Sequence, residues 1–217
     1  MKIGVLGTGM VGETIGAKLV ARGHEVMIGS RSATSEKALA WVKSTGKGAS
    51  AGTFADAAVH GELIFLCTKG EATVDVVAGV GDERLAGKVL IDVTNPLDFS
   101  KGMPPTLFIC NDDSLGERVQ KAAPRARVVK SLNTMNAKLM VDASRLKGDH
   151  SVFVSGNDKD AKNAVAKLLS EDFGWKPANI IDVGDITTSR GTESLLPLWI
   201  RLWGAFGNPD FNFHIAR

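Results

Sequence analysis

The chain has 217 residues, 44% of them hydrophobic, and a formal net charge of +2. That length suits one generous domain or one domain with a small appendage. So near-neutral a balance gives no electrostatic footing for nucleic acid or an anionic membrane, and no apolar run approaches the roughly 20 residues a transmembrane helix needs. Met1-Lys2 leads straight into an apolar run, so no signal peptide is expected and a cytoplasmic location follows.

"KIGVLG" (residues 2–7) is nearly continuous in apolar character and reads as a fully buried first strand. "MVGETIGAKLVARG" follows with helical periodicity and stops at Gly23. "HEVMIGS" is a second strand, and "SEKALAWVKSTG" a helix with Ser35 as its cap. "ELIFLCT" and "KVLIDVTN" are further buried strands, separated by "EATVDVVAGV". "SLGERVQKAAP" is a helix and "ARVVKSLN" a strand. Such alternation predicts an α/β chain with a Rossmann-type, doubly wound, mostly parallel sheet.

The pattern weakens beyond residue 150. "SVFVSG" and "NIIDVG" read as strands around the helix "KDAKNAVAKLLSEDFG". "SLLPLWIRLWGAF" is apolar on nearly every face, and Pro197 places a helix start or kink. "FNFHIAR" alternates like a final strand. Residues 1–150 are therefore expected to form a nucleotide-binding domain. Residues 151–217 would form a smaller C-terminal part that closes a cleft and mediates dimerisation through its aromatic helix.

Gly7-Thr8-Gly9-Met10-Val11-Gly12 is a GxGxxG sequence between a strand and a helix, the context in which the motif binds a dinucleotide. Gly7 permits the tight turn, Gly9 lets the backbone approach a pyrophosphate, and Gly12 lets the helix pack on the strand. Arg31 lies 24 positions past Gly7, at the end of the second strand, where NAD enzymes place a ribose-gripping acid. An acid there would repel the 2′-phosphate of NADP. Arg31 can pair with that phosphate, with hydroxyls from Ser30 and Ser32 and added charge from Lys37. The stretch thus selects NADP(H).

Other ligand-facing candidates lie at the carboxyl ends of strands: Thr68 and Lys69, Asn95 and Pro96, and Asn133 with Thr134. Each Asn equally suits a turn or a helix cap. No metal-ligand spacing, Ser-His-Asp set or carboxylate pair is visible, and tyrosine is absent. Cys67 and Cys110 sit in apolar runs and read as buried thiols.

"MKIGVLGTGMVGETIGAKLVARGHEVMIGSRS", "KVLIDVTNPLDF", "VVKSLNT" and "FNFHI" resemble the F420-dependent NADP oxidoreductases and their bacterial relatives over essentially the whole chain. The same stretches are similar to the NADPH domain of six-transmembrane metalloreductases. The resemblance implies NADPH on the Rossmann domain, a deazaflavin in the adjoining cleft, and Asn95-Pro96 lining the nicotinamide site. Direct hydride transfer between two cofactors needs mainly proximity and orientation. Archaeal members that use F420 carry His at the place of Asn133, and the Asn form resembles the bacterial and metalloreductase branch. The leading reading is an NADPH-dependent reductase with coenzyme F420 as acceptor; the alternatives are FMN or FAD in a flavin or ferric-chelate reductase, or another small oxidant. A non-catalytic NADPH sensor and an imine reductase of the pyrroline-carboxylate type are the other readings.

Overall fold

The computed structural model describes residues 1–216. In chain order its principal elements are β1 (Lys2–Leu6), α1 (Met10–Ala21), β2 (Glu25–Ser30), α2 (Glu36–Thr45), β3 (Ala49–Thr53), α3 (Phe54–His60), β4 (Leu63–Leu66), α4 (Gly70–Val80), α5 (Asp82–Leu85) and β5 (Val89–Asp92). Then come β6 (Leu97–Asp98), β7 (Thr106–Leu107), α6 (Leu115–Ala122), β8 (Arg127–Ser131), α7 (Ala137–Met140), β9 (Val152–Ser155), α8 (Lys159–Glu171), β10 (Ile180–Gly184), α9 (Ser189–Ser194) and α10 (Leu196–Phe206).

Eight strands form one sheet in the order β10-β9-β8-β5-β4-β1-β2-β3, and β6 and β7 make a separate antiparallel pair. All neighbours in the large sheet are parallel except β8 and β9. Strand order reverses at β1, which places the crevice for a ligand at the carboxyl ends of β1 and its neighbours. Both faces are covered. Ile3, Val5, Ile28 and Phe65 pack on one side with α1 and α8, and Leu6, Ile64, Leu66 and Leu90 on the other with α3, α4 and α6. This two-sided burial explains why the strands read as continuous apolar runs.

The sequence reading passes over β3, α3 and the β6–β7 pair. "ASAGT" lacks large apolar residues, since Gly52 abuts the Asp56 side chain and has room only for hydrogen. The start of α3 did carry a signal: Thr53 and Asp56 form a reciprocal capping box. Two expectations are corrected. Phe211–Ala216 join neither sheet, and Arg217 of that run lies outside the described residues. The tail instead straps the chain: Phe213 O accepts from Ser151 N, Phe211 stacks on Trp199, and Asn212 Nδ2 contacts His150 Nδ1 and Ser151 O. Cys110 is exposed in the loop after β7, while Cys67 is buried. Burial, reinforced by the Asp92 charge, pushes the Cys67 thiol well above its usual range.

β9 and β10 continue the same sheet past residue 150. Beyond β10, α9 and α10 fold back: α9 lies against α6, and Pro197 falls in the first turn of α10. Trp199 and Ile200 of α10 are buried, whereas Leu198, Trp203 and Phe206 are exposed.

Candidate active site

The first part of the site is the turn between β1 and α1. Gly7 has φ +128°, and its N–H donates to Gly29 O at 3.0 Å. A Cβ at Gly7 would lie 2.5 Å from Cys67 O, and one at Gly12 would lie 2.1 Å from Gly7 O. Both positions therefore exclude a side chain by backbone contact. Gly9 differs. It N-caps α1 without any side-chain cap, and nothing of the protein lies within 4 Å of the place its Cβ would occupy. Free N–H groups at a helix start, a partial positive charge and an open approach make a cradle that fits a pyrophosphate.

The end of β2 forms the second part. Arg31 is exposed and makes no ion pair among the described residues. Ser30 is buried, and its hydroxyl donates to Ser32 O at 2.6 Å while Ser32 N–H points back at 3.3 Å. Its single proton is thus committed to the turn, so Ser30 shapes the loop. The Ser32 hydroxyl lies 2.9 Å from that of Thr34. Lys37 Nζ lies 3.5 Å from Glu13 Oε1, which places its charge beside the start of α1 and partly neutralises it. Arg31 remains the unmatched cation of this turn, with a geometry that fits a phosphate monoester.

The third part runs along adjoining strand ends. Thr68 Oγ1 lies 2.8 Å from Thr73 Oγ1, and Lys69 is exposed at the start of α4. Gly70 approaches the loop after β5 so closely that a Cβ would sit 2.0 Å from Asn95 O. Asn95 Nδ2 donates to Asn133 O at 2.8 Å, and Asn133 Nδ2 donates to Asn95 Oδ1 at 2.9 Å. Two candidates separated by 38 residues therefore form one reciprocal amide pair. Thr134 is buried beside them with its hydroxyl unpartnered. Pro96 O accepts from Phe108 N at 2.9 Å and ties down the β6–β7 pair. Leu132, buried, holds φ +63°, a left-handed conformation that costs a β-carbon residue roughly 1–2 kcal/mol. It turns the chain out of β8 so that Asn133 meets Asn95.

Beneath this pair lies a buried ionic cluster that the sequence reading missed. Lys130 Nζ contacts Asp92 Oδ2 at 2.9 Å, Glu193 Oε1 at 2.7 Å and Thr94 O at 2.6 Å. Asp92 Oδ1 accepts from the amide and hydroxyl of Thr94. Glu193 accepts from Leu115 N and Gly116 N, capping α6. Burial alone would lower the Lys130 pKa, but the Asp92 and Glu193 charges outweigh it and hold it above its ordinary value. Asp92 and Lys130 are charges inside apolar strand runs, and such residues need a partner. That signal was present in the sequence. Glu193, on a short helix, offered none.

Strand order, glycine turn, uncapped helix start and the cation after β2 together define a dinucleotide-binding Rossmann-type protein. A profile of the family described as NADP oxidoreductase coenzyme F420-dependent matches residues 2–96. An F420-dependent NADP reductase of Methanothermobacter marburgensis is 30% identical over 211 residues, covering 93% of this chain and 92% of its own. A crystal structure from Arthrobacter sp. FB24, provisionally described as an F420-dependent NADP-reductase, is 52% identical, covers all of both chains and gives a TM-score of 0.93. Metalloreductase STEAP3 of Rattus norvegicus is 28% identical over 91% of this chain, which spans only 38% of that protein's length. The chain belongs to the F420-dependent NADP oxidoreductase family and is an NADP-dependent oxidoreductase. Among the described residues no helix is long and apolar enough to cross a membrane.

Proposed function

We propose that the protein transfers hydride between NADP(H) and coenzyme F420. One observation carries the reading: the groups beside the strand-end site are orienting groups, and the buried charged groups are spent on one another. Lys130 has all three donors engaged, and Asp92 and Glu193 are consumed by Lys130 and backbone N–H groups. The Asn95–Asn133 pair at the strand ends is neutral, and exposed Lys69 is the charged group that borders it. Imine or carbonyl reduction calls for a positioned acid. Transfer between two cofactors needs alignment, because a reduced nicotinamide supplies the hydride and a deazaflavin accepts it.

In this reading the Gly7–Gly12 turn and the start of α1 hold the pyrophosphate, and Arg31, with Ser32, holds the 2′-phosphate. Asn95 and Asn133 orient the reacting rings, and Pro96, Thr68 and Lys69 border them. Residues 151–217 close the acceptor side, and the exposed face of α10 pairs two copies.

The test is a stopped-flow mix of the protein and NADPH with F420, FMN and FAD in turn, followed at the nicotinamide and acceptor bands. Oxidation with F420 alone is expected. Turnover with FMN or FAD alone would transfer the protein to flavin reduction. Tight NADPH binding with no turnover would indicate a sensor or another substrate.

A further inference from the structure

We propose that Glu193 is a positioning residue for hydride transfer: through Lys130 it holds the Asn95–Asn133 pair in register, so a residue of the C-terminal segment sets the geometry of a pair it does not touch. The inference rests on the strand-end reading above and adds a residue outside it.

Asp92 and Lys130 are cross-strand partners in β5 and β8. Three residues after each stands an Asn of the amide pair. Lys130 donates to Thr94 O, next to Asn95, and its own chain reaches Asn133 through Leu132. The ammonium therefore fixes both loops where they leave the sheet. Asp92 and the Thr94 carbonyl meet two of the three donors of this buried lysine, and a second carboxylate meets the third. The second comes from α9, 60 or more residues away in sequence. Glu193 simultaneously caps α6, so α9, α6, β5 and β8 meet at one ammonium.

A separate tether acts from the other side of the same loop. Asn136 Oδ1 accepts from Lys138 N and Leu139 N, capping α7, while its Nδ2 donates to Pro209 O at 2.7 Å. Residues 131–136 are thus held at both ends by the segment beyond β10. Left-handed Leu132 between the two makes that restraint consequential, since a strained residue relaxes when its surroundings loosen.

The experiment compares wild type, Glu193→Gln, Lys130→Met, the double variant and the uncharged triple D92N/K130M/E193Q. The triple removes the three charges of the cluster and keeps an acceptor for Thr94 and for one of the Leu115 and Gly116 amides, so it leaves no unpaired buried ion where a single change does. Three quantities are read: hydrogen exchange of the Asn95 and Asn133 side-chain amides by NMR in the nucleotide-free protein, NADPH affinity by calorimetry, and the single-turnover rate of NADPH oxidation by F420. Glu193→Gln should speed amide exchange at least tenfold and slow hydride transfer at least tenfold, with NADPH affinity within about twofold. The double variant should be no worse than Lys130→Met alone, because the two act as a unit. The proposal is overturned by wild-type exchange and transfer in a folded Glu193→Gln or triple variant, or by losses that multiply in the double. If wild type itself does not reduce F420, the functional reading falls, and the amide-exchange arm alone decides the role of Glu193.

Discussion

Asn95 and Asn133 exchange two hydrogen bonds, each donating its Nδ2, one to a main-chain and the other to a side-chain oxygen. The pair joins the loops after β5 and β8. Loss of one amide strands the other's polar group in a largely buried place, which costs roughly 1–3 kcal/mol. Asn133→Ala should slow single-turnover NADPH oxidation by about 10- to 100-fold, with nucleotide affinity nearly unchanged. A matching loss of affinity with unaltered turnover would place the pair at nucleotide binding instead.

Arg31 is the unmatched cation at the end of β2. Arg31→Ala should weaken NADPH by roughly 1–3 kcal/mol and leave NADH nearly untouched. Calorimetry with both nucleotides checks this, and equal losses would remove Arg31 from the 2′-phosphate.

Two glycines of one motif should fail differently. Gly9 is open on its Cβ side and Gly12 faces Gly7 O at 2.1 Å. Gly9→Val should retain the melting temperature and lose NADPH binding. Gly12→Ala should lose roughly 1–3 kcal/mol of stability through overpacking, whether or not nucleotide is present. Thermal melts beside calorimetry separate the two effects.

Arg190 of α9 makes two hydrogen bonds to Glu117 of α6, at 2.8 and 2.6 Å. They hold the Glu117 carboxyl below its ordinary value of 4.5 against the opposing pull of partial burial. A depressed native pKa gives stability that is complete above the unfolded-state value and vanishes as pH falls through the native one. Glu117→Gln should therefore melt below wild type at pH 7, and the gap should close as the medium is acidified past 4.5. A gap independent of pH would assign the loss to packing.

Trp203 and Phe206 are 41% and 61% exposed on α10. Light scattering should show a dimer at micromolar concentration, and Trp203→Glu with Phe206→Glu should yield a monomer. A monomeric wild type would free that face for another role.

The glycine turn and the cation after β2 were legible because their constraints are local. Gly7, Gly12 and Arg31 act through the backbone of one turn and the charge after one strand, and both appear as residue types at fixed spacing. The strand ends were legible as positions. Asn95 and Asn133 could be placed at carboxyl edges, yet nothing in either run shows that they bond each other. Glu193 was hidden altogether, since its partner Lys130 lies five elements upstream, on β8, and an acid on a short helix looks solvated. β3 was hidden for the opposite reason: close contact with α3 leaves glycine and alanine where a strand normally advertises itself.

Leu132 has a consequence for how the protein ages under heat. Its left-handed φ of +63° stores free energy next to Asn133, released by slight loosening of the loop and recovered only when the loop is clamped. The sheet has no such spring. Warming should therefore disarm the enzyme before it melts, with turnover collapsing several degrees below the midpoint seen by circular dichroism.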